Sequence, residues 1–183
     1  MNKNKNVSRL TTMALLCAIA VLLVFLIHLP IIPGFDFLEY DPADIPIIIS
    51  SFLFGPLWAL GVTVVTSIIQ ALTVSSKAGL TGALMHIFAT GIFVLISGLI
   101  YKSKKNMISA AIGIFVAIIV ATGAMIFWNY LITPLYMNVS RQEVLPILIP
   151  VILPFNLIKF GINGVLAFIL FKPVSLAYNR IFK

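Results

Sequence analysis

Three polar residues interrupt an otherwise apolar run near the carboxyl end: Asn156, Lys159 and Asn163. Their spacing, i, i+3 and i+7, places them on one face of a helix. An asparagine amide offers both donors and an acceptor, and a lysine offers three donors and a charge. Inside a bilayer such residues are costly and mark binding sites or pathways. A lysine there needs an anionic or carbonyl partner, or a wet cavity. In the competing arrangement Lys159 snorkels outward and the asparagines join neighbouring helices. Snorkelling suits a lipid-facing lysine near the end of a span. Sharing a face with two asparagines favours an interior pocket.

Other polar residues sit near the same depth. Asn129 lies near the outer end of a preceding apolar run, between Trp128 and Tyr130. Interfacial aromatics are routine, so Asn129 is the more telling of the three. His86 has no second His, Cys or carboxylate at ligand spacing, which argues against a metal role. Gln70 and Lys77 flank the outer end of another run, at the mouth of a pocket, and Gln70 is expected to matter less than Asn156 or Lys159. The single cysteine, Cys17, reads as a small buried hydrophobe. Small residues recur at close-packing intervals: Ala14 with Ala18, Gly79 with Gly82, and Gly161 with Gly164.

The elements that hold these residues must lie in a membrane. Of 183 residues, 61% are hydrophobic and 9% charged, and mean hydropathy is +1.15. A soluble domain carries roughly 25% charged residues. The net charge of +7 comes from basic residues scattered through short connections, not from a basic stripe interleaved with aromatics, so nucleic-acid binding is excluded. The first apolar run is longer than the core of a signal peptide and no small-x-small cleavage site follows it. It reads as a first span. With it, runs over 56–73, 80–101, 107–132 and 147–171 are long enough to cross the hydrocarbon.

A shorter run, 45–54, is decided by charge. If it crosses, the amino end, the loop with Lys102, Lys104 and Lys105, and the tail with Lys172, Arg180 and Lys183 share one side. Nine of the 12 Lys/Arg then lie inside. All five acids, Asp36, Glu39, Asp41, Asp44 and Glu143, then lie outside. The expected fold is therefore an all-α integral membrane protein of six transmembrane helices, both termini cytoplasmic, in one domain over 1–183. Gly55-Pro56 makes the tight turn after the short helix. Two outer connections, 30–44 and 133–143, are long and polar, so the specialised surface faces outward.

No catalytic constellation is present: no Ser-x-x-Lys, HExxH, paired intramembrane carboxylates or Walker motif. The chain reads as a non-enzyme that borrows energy from a partner. The stretch FLEYDPADIP at 37–46, followed by FLFGP at 52–56, resembles the signature of riboflavin-specific S components of energy-coupling-factor transporters. Asn156-Leu-Ile-Lys159 and Asn129 are similar to that group as well.

The resemblance implies a six-helix, substrate-binding fold with an outward pocket roofed by the first loop. It implies no intrinsic cofactor, with riboflavin as the transported ligand. Partners would be a membrane coupling (T) protein and two cytoplasmic ATPases, in the bacterial plasma membrane. The implied substrate contacts are Asn156, Lys159, Asn129, Asn163, Gly82, Leu38, Phe37 and Tyr40, with Phe155 also covering the ring. Ala14 and Ala18 would meet the coupling protein. Alternatives are an S component for another vitamin or for flavin mononucleotide, and a non-transport membrane assembly protein.

Overall fold

The computed structural model describes residues 3–27, 29–35, 38–74 and 79–182. It is nearly all-helical. Helix α1 covers Lys3–Leu26, α2 Asp44–Phe54, α3 Pro56–Leu72, α4 Gly79–Lys104 and α5 Met107–Met137. Helix α6, Arg141–Ile147, runs through a π-helical turn at Leu148–Ile152 into α7, Leu153–Phe182. Two short strands, β1 (Leu29–Pro30) and β2 (Glu39–Tyr40), pair antiparallel, with Leu29 opposite Tyr40.

Four stretches are long and apolar enough to cross a membrane: Asn6–Leu26, Gly79–Lys104, Met107–Leu135 and Arg141–Phe182. Helices α2 and α3 are apolar but shorter. Large apolar side chains cover the outside of the bundle, among them Leu22, Phe25, Leu72, Ile108, Phe115 and Ile169. A surface of that kind is stable only against lipid. The chain is a multi-pass membrane protein.

Helix α2 is the buried centre. Nine of its 11 residues are buried, and it packs against α1, α3, α4 and α7. Its length is only about 16 Å. Gly55, at φ 101°, ends it, and Pro56 opens α3 with a φ already suited to a helix. The turn therefore reads as the sequence predicts. Close approach matters at Gly113, where a Cβ would lie 2.7 Å from the Ser97 carbonyl oxygen. That contact lets α5 lie directly on α4.

The ends of the helices differ from expectation in one place. The connection expected over 133–143 is mostly helical. Helix α5 continues past Pro134 to Met137, and Asn138 in the left-handed region caps it. Ser140 then starts α6 with a capping box to Glu143. Proline at 146, 150 and 154 explains the π turn: each lacks the N–H that a carbonyl four residues earlier would accept. The Leu153 N–H instead reaches the Leu148 carbonyl.

Candidate functional site

A cavity of about 150 Å³ opens at the end of the bundle that carries β1 and β2. Every major element except α2 and α6 lends it a wall. From the loop come Leu38, Glu39, Tyr40 and Asp41; from α3, Ser67 and Gln70; from α4, Gly82 and His86; from α5, Asn129 and Thr133; from α7, Phe155, Asn156 and Lys159. A second cavity of about 300 Å³ lies at the opposite end, near Gly55, Tyr101 and Tyr178. Its lysines, Lys102 and Lys105, are exposed. The first cavity is the candidate site because its polar groups are buried within apolar helices.

The loop over it is held by apolar contact and by hydrogen bonds. Leu38 belongs to a buried cluster with Val144, Leu148, Ile152 and Phe155, so the roof rests on α6 and the π turn. The Ile31 N–H donates to the Leu38 carbonyl at 3.4 Å, and the Leu38 N–H to the Phe35 carbonyl at 2.9 Å. Tyr40 donates its hydroxyl proton to Asn163 Oδ1 at 2.6 Å. Burial, with Asp44 and Asp41 nearby, pushes the Tyr40 phenol up to about 12. It is therefore a neutral donor throughout the physiological range.

Asn163 closes the clasp from below. Its amide nitrogen donates to the Asp41 carbonyl at 2.7 Å and to Asp44 Oδ2 at 2.9 Å. It is fully buried and does not line the cavity. Its observed contacts tie the loop and α2 to α7.

Asn156 and Lys159 do line the cavity, as the shared helix face requires. One N–H of Asn156 donates to the Ile152 carbonyl at 2.8 Å, in the π turn. Asn129 does the same to Met125 at 2.8 Å, and its Oδ1 accepts from Thr133 at 2.8 Å. These bonds fix both rotamers. The Lys159 ammonium lies 3.9 Å from Asp44 Oδ2. That distance balances its charge and is too long for a hydrogen bond, and Lys159 lines the cavity. Lys159 is 9% exposed, which rules out snorkelling.

Sequence reasoning missed the acid cluster beneath the loop. Asp44, expected outside with the other acids, is the first residue of α2 and is 1% exposed. Thr90 donates its hydroxyl proton to Asp44 Oδ1. His86 Nε2 lies 3.2 Å from the same oxygen and 3.1 Å from Asp41 Oδ2. His86 Nδ1 lies 2.7 Å from Ser67 Oγ. The carboxylates that seemed absent from around His86 come from the start of α2 (Asp44) and the loop before it (Asp41), 42 and 45 positions earlier. One signal could have found them. Lys159 needs an anion, and four of the chain's five acids lie within 36–44. Phe37 and Lys77 lie outside the described residues.

The remaining sequence expectations fall into place by position. Leu38, Tyr40, Gly82, Asn129, Asn156 and Lys159 meet around one cavity. Ala14 and Ala18 are exposed on α1, away from it. Among the described residues no set of three or more His, Cys, Asp or Glu side chains is arranged to hold a metal ion. The arrangement provides a chamber of apolar walls and fixed polar groups, which suits binding of a small molecule.

Comparison with known proteins agrees with that chemistry. The family model for the substrate-specific component of ECF transporters matches residues 8–171. The chain is 29% identical to the riboflavin transporter RibU of Staphylococcus aureus, over 99% of this chain and 96% of the relative. It is 31% identical to the riboflavin transporter FmnP of Bacillus subtilis, over 91% of this chain and 93% of the relative. The solved S component of a bacterial ECF transporter superposes with a TM-score of 0.80 at 30% identity, covering 95% of this chain and 97% of that one. A match over most of the length, in sequence and in fold, means that this chain belongs to the substrate-specific components of ECF transporters, proteins of transport and not enzymes.

Proposed function

We propose that this chain is the riboflavin-capturing subunit of an ATP-driven importer of the bacterial plasma membrane. It acts as one domain of six crossings, α1, α2, α3, α4, α5 and the α6–α7 helix, with both termini in the cytoplasm and the cavity facing outward. The observation that carries the reading is the meeting of Asn129, Asn156 and Lys159 in one buried cavity beneath Leu38 and Tyr40. Its relatives that carry the name riboflavin transporter add support.

The chemistry is complementary. Riboflavin has a flat aromatic ring, a pyrimidine edge of alternating donors and acceptors, and a hydroxylated chain. Asn129, Asn156 and Lys159 meet the edge, with Gly82 close against the ligand. Phe155, Leu38 and Tyr40 cover the ring. Asn163 contributes from behind by holding the loop. The chain carries no nucleotide-binding loop, so energy comes from two cytoplasmic ATPases through a membrane coupling protein. Ala14 and Ala18 meet that protein.

Flavin mononucleotide is the nearest competitor, and a parallel titration with it separates the two ligands. The test is direct. The protein purified from riboflavin-fed cells should carry a yellow chromophore with a flavin spectrum, and the stripped protein should quench riboflavin fluorescence one to one. Purification without chromophore, together with no quenching on titration, would defeat the reading.

A further inference from the structure

The end of the bundle away from the loop carries the second cavity, of about 300 Å³. It lies between the last turns of α4 and the later part of α7, beside the α2–α3 turn. Its frame is fixed by ring packing. Phe52, Tyr101 and Phe171 form an aromatic triangle, with centroids 4.9, 5.2 and 5.4 Å apart. Each ring comes from a different helix, so the triangle ties α2, α4 and α7 together at the cavity. Phe54 packs against Tyr178 at 5.3 Å. A Cβ at Gly98 would overlap Ser51 Oγ, so α4 lies close on α2 at this level.

The polar groups at this cavity are uncommitted. Lys102 and Lys105 line it from the end of α4 and just beyond, and Tyr101, Ser175 and Asn179 join them. Among the described residues, none of these five side chains makes a hydrogen bond or ion pair within the protein. All five can donate. None of the chain's acids lines the cavity. Asp44 begins α2 and Phe54 ends it, which puts that carboxylate about 15 Å away along the helix. Lys104, Lys172 and Arg180, exposed and adjacent in sequence to lining residues, add to the positive field. The cavity under the loop is different, because there Asp44 balances Lys159.

A positive, donor-rich hollow with aromatic walls suits an anion that carries an apolar tail. A soluble anion would use the donors and leave the aromatic walls idle, whereas a phospholipid uses both. Leu99 and Leu176, next to Gly98 and Ser175, are exposed on the outside of the bundle, where acyl chains can lie. Basic pockets between membrane helices on the cytoplasmic side are the kind that hold anionic headgroups. We propose that this cavity binds an anionic phospholipid, with its phosphate between Lys102 and Lys105 and its chains along the outer surfaces of α4 and α7. The site is separate from the ligand cavity and is independent of which vitamin is carried. In the orientation proposed above, the lipid comes from the inner leaflet.

The test uses the purified full chain, stripped of lipid in a non-ionic detergent. Phosphatidylglycerol and phosphatidylcholine with the same acyl chains are titrated separately, and native mass spectrometry reads the fraction of protein that carries one lipid. Wild type is expected to bind one phosphatidylglycerol at least about tenfold more tightly than phosphatidylcholine. Lys102→Gln combined with Lys105→Gln is expected to weaken phosphatidylglycerol binding roughly 10- to 30-fold, the effect of two basic residues at a membrane surface. Neither lysine has a protein partner, so their loss leaves the fold intact. The control, Lys172→Gln combined with Arg180→Gln, removes two charges at the same end from residues that do not line the cavity. It is expected to cost less than about threefold. Equal loss in the two double variants would assign the preference to the general charge of this end and overturn the site. Equal binding of the two lipids by wild type would overturn it as well. Glycerol 3-phosphate, which has the headgroup phosphate and no chains, is the last arm. If it displaces phosphatidylglycerol at equal concentration, the occupant is a soluble phosphate and the lipid assignment fails.

Discussion

Asn156 and Lys159 were legible because helical spacing alone puts them on one face, and a lysine in an apolar run has few physical options. If they contact riboflavin, Asn156→Leu and Lys159→Met each leave a ligand polar group unpaired in a dry site, at about 1–3 kcal/mol. Each is expected to weaken binding at least about tenfold while the amount of folded protein in the membrane is unchanged. Wild-type affinity in both would return this face to helix packing. What spacing could not give was the partner of Lys159. Asp44 is 115 positions away, and only the fold brings them within 3.9 Å. Asn163 shows the same limit. It shares the face of Asn156, yet the structure commits it to Tyr40, Asp41 and Asp44. The ion pair carries its own prediction. Removing one charge of a buried pair costs about 3–5 kcal/mol when burial is complete, and less here beside a cavity. Asp44→Asn should therefore lower the Tm of the ligand-free protein. Adding Lys159→Met should recover part of that loss, a coupling that a double-mutant cycle measures. Strictly additive losses would show that the pair is not energetically coupled.

Helix existence was read from apolar length, and five of the long runs needed nothing more. The short run over 45–54 was assigned a crossing from charge, because it gives too little apolar length to decide by itself, and the structure shows it as the 11-residue helix α2. The connection over 133–143 was misread because Pro134 and a cluster of polar residues look like a loop. Helix α5 nevertheless runs on past Pro134 to Met137, and the Pro134 carbonyl accepts from both Asn138 and Val139 where the helix ends. Prolines 146, 150 and 154 have a larger effect, since they set the π turn on which Leu38 rests. The loop clasp can be tested separately from the pocket. Tyr40→Phe deletes one hydrogen bond to Asn163, worth about 0.5–1.5 kcal/mol, and leaves the Asn163 bond to the Asp41 carbonyl in place. Riboflavin should then bind about two- to tenfold more weakly, chiefly through faster dissociation. A slower association with unchanged release would mean that Tyr40 guides entry instead. The α4–α5 contact makes a contrasting case. Gly113→Val drives a side chain against the Ser97 backbone, which cannot rotate aside. The yield of folded protein should fall, by an overpacking cost of about 1–3 kcal/mol, with any folded fraction binding normally.

At the scale of the whole molecule, one end carries the loop and cavity and the other carries both chain ends. Ser8 lies 3.4 Å from the Tyr178 hydroxyl, and Arg9 stacks over Trp58. The proposed orientation puts the cavity outside, so single cysteines at Ser103 and Ser140, in a Cys17→Ala background, should label from opposite faces of the membrane. Labelling of both from outside contradicts six crossings. The last prediction concerns how binding is coupled to energy. Helix α1 packs on α2, α3 and α7, and it buries Met13, Leu16, Cys17 and Ala20 in doing so. Ala14 and Ala18 face the other way and are exposed. Two alanines one turn apart make a shallow flat strip where a second helix can approach closely. Exposed positions on lipid-facing helices otherwise favour large side chains, as Leu15, Leu22 and Phe25 do here. A tryptophan on the strip would hold a partner helix off without disturbing the core or the cavity. Ala14→Trp and Ala18→Trp should therefore leave riboflavin titration of the purified protein unchanged while cells lose riboflavin uptake. Loss of binding in the purified variants would mean that the strip supports the fold. Normal uptake in both would mean that the coupling protein docks on another face.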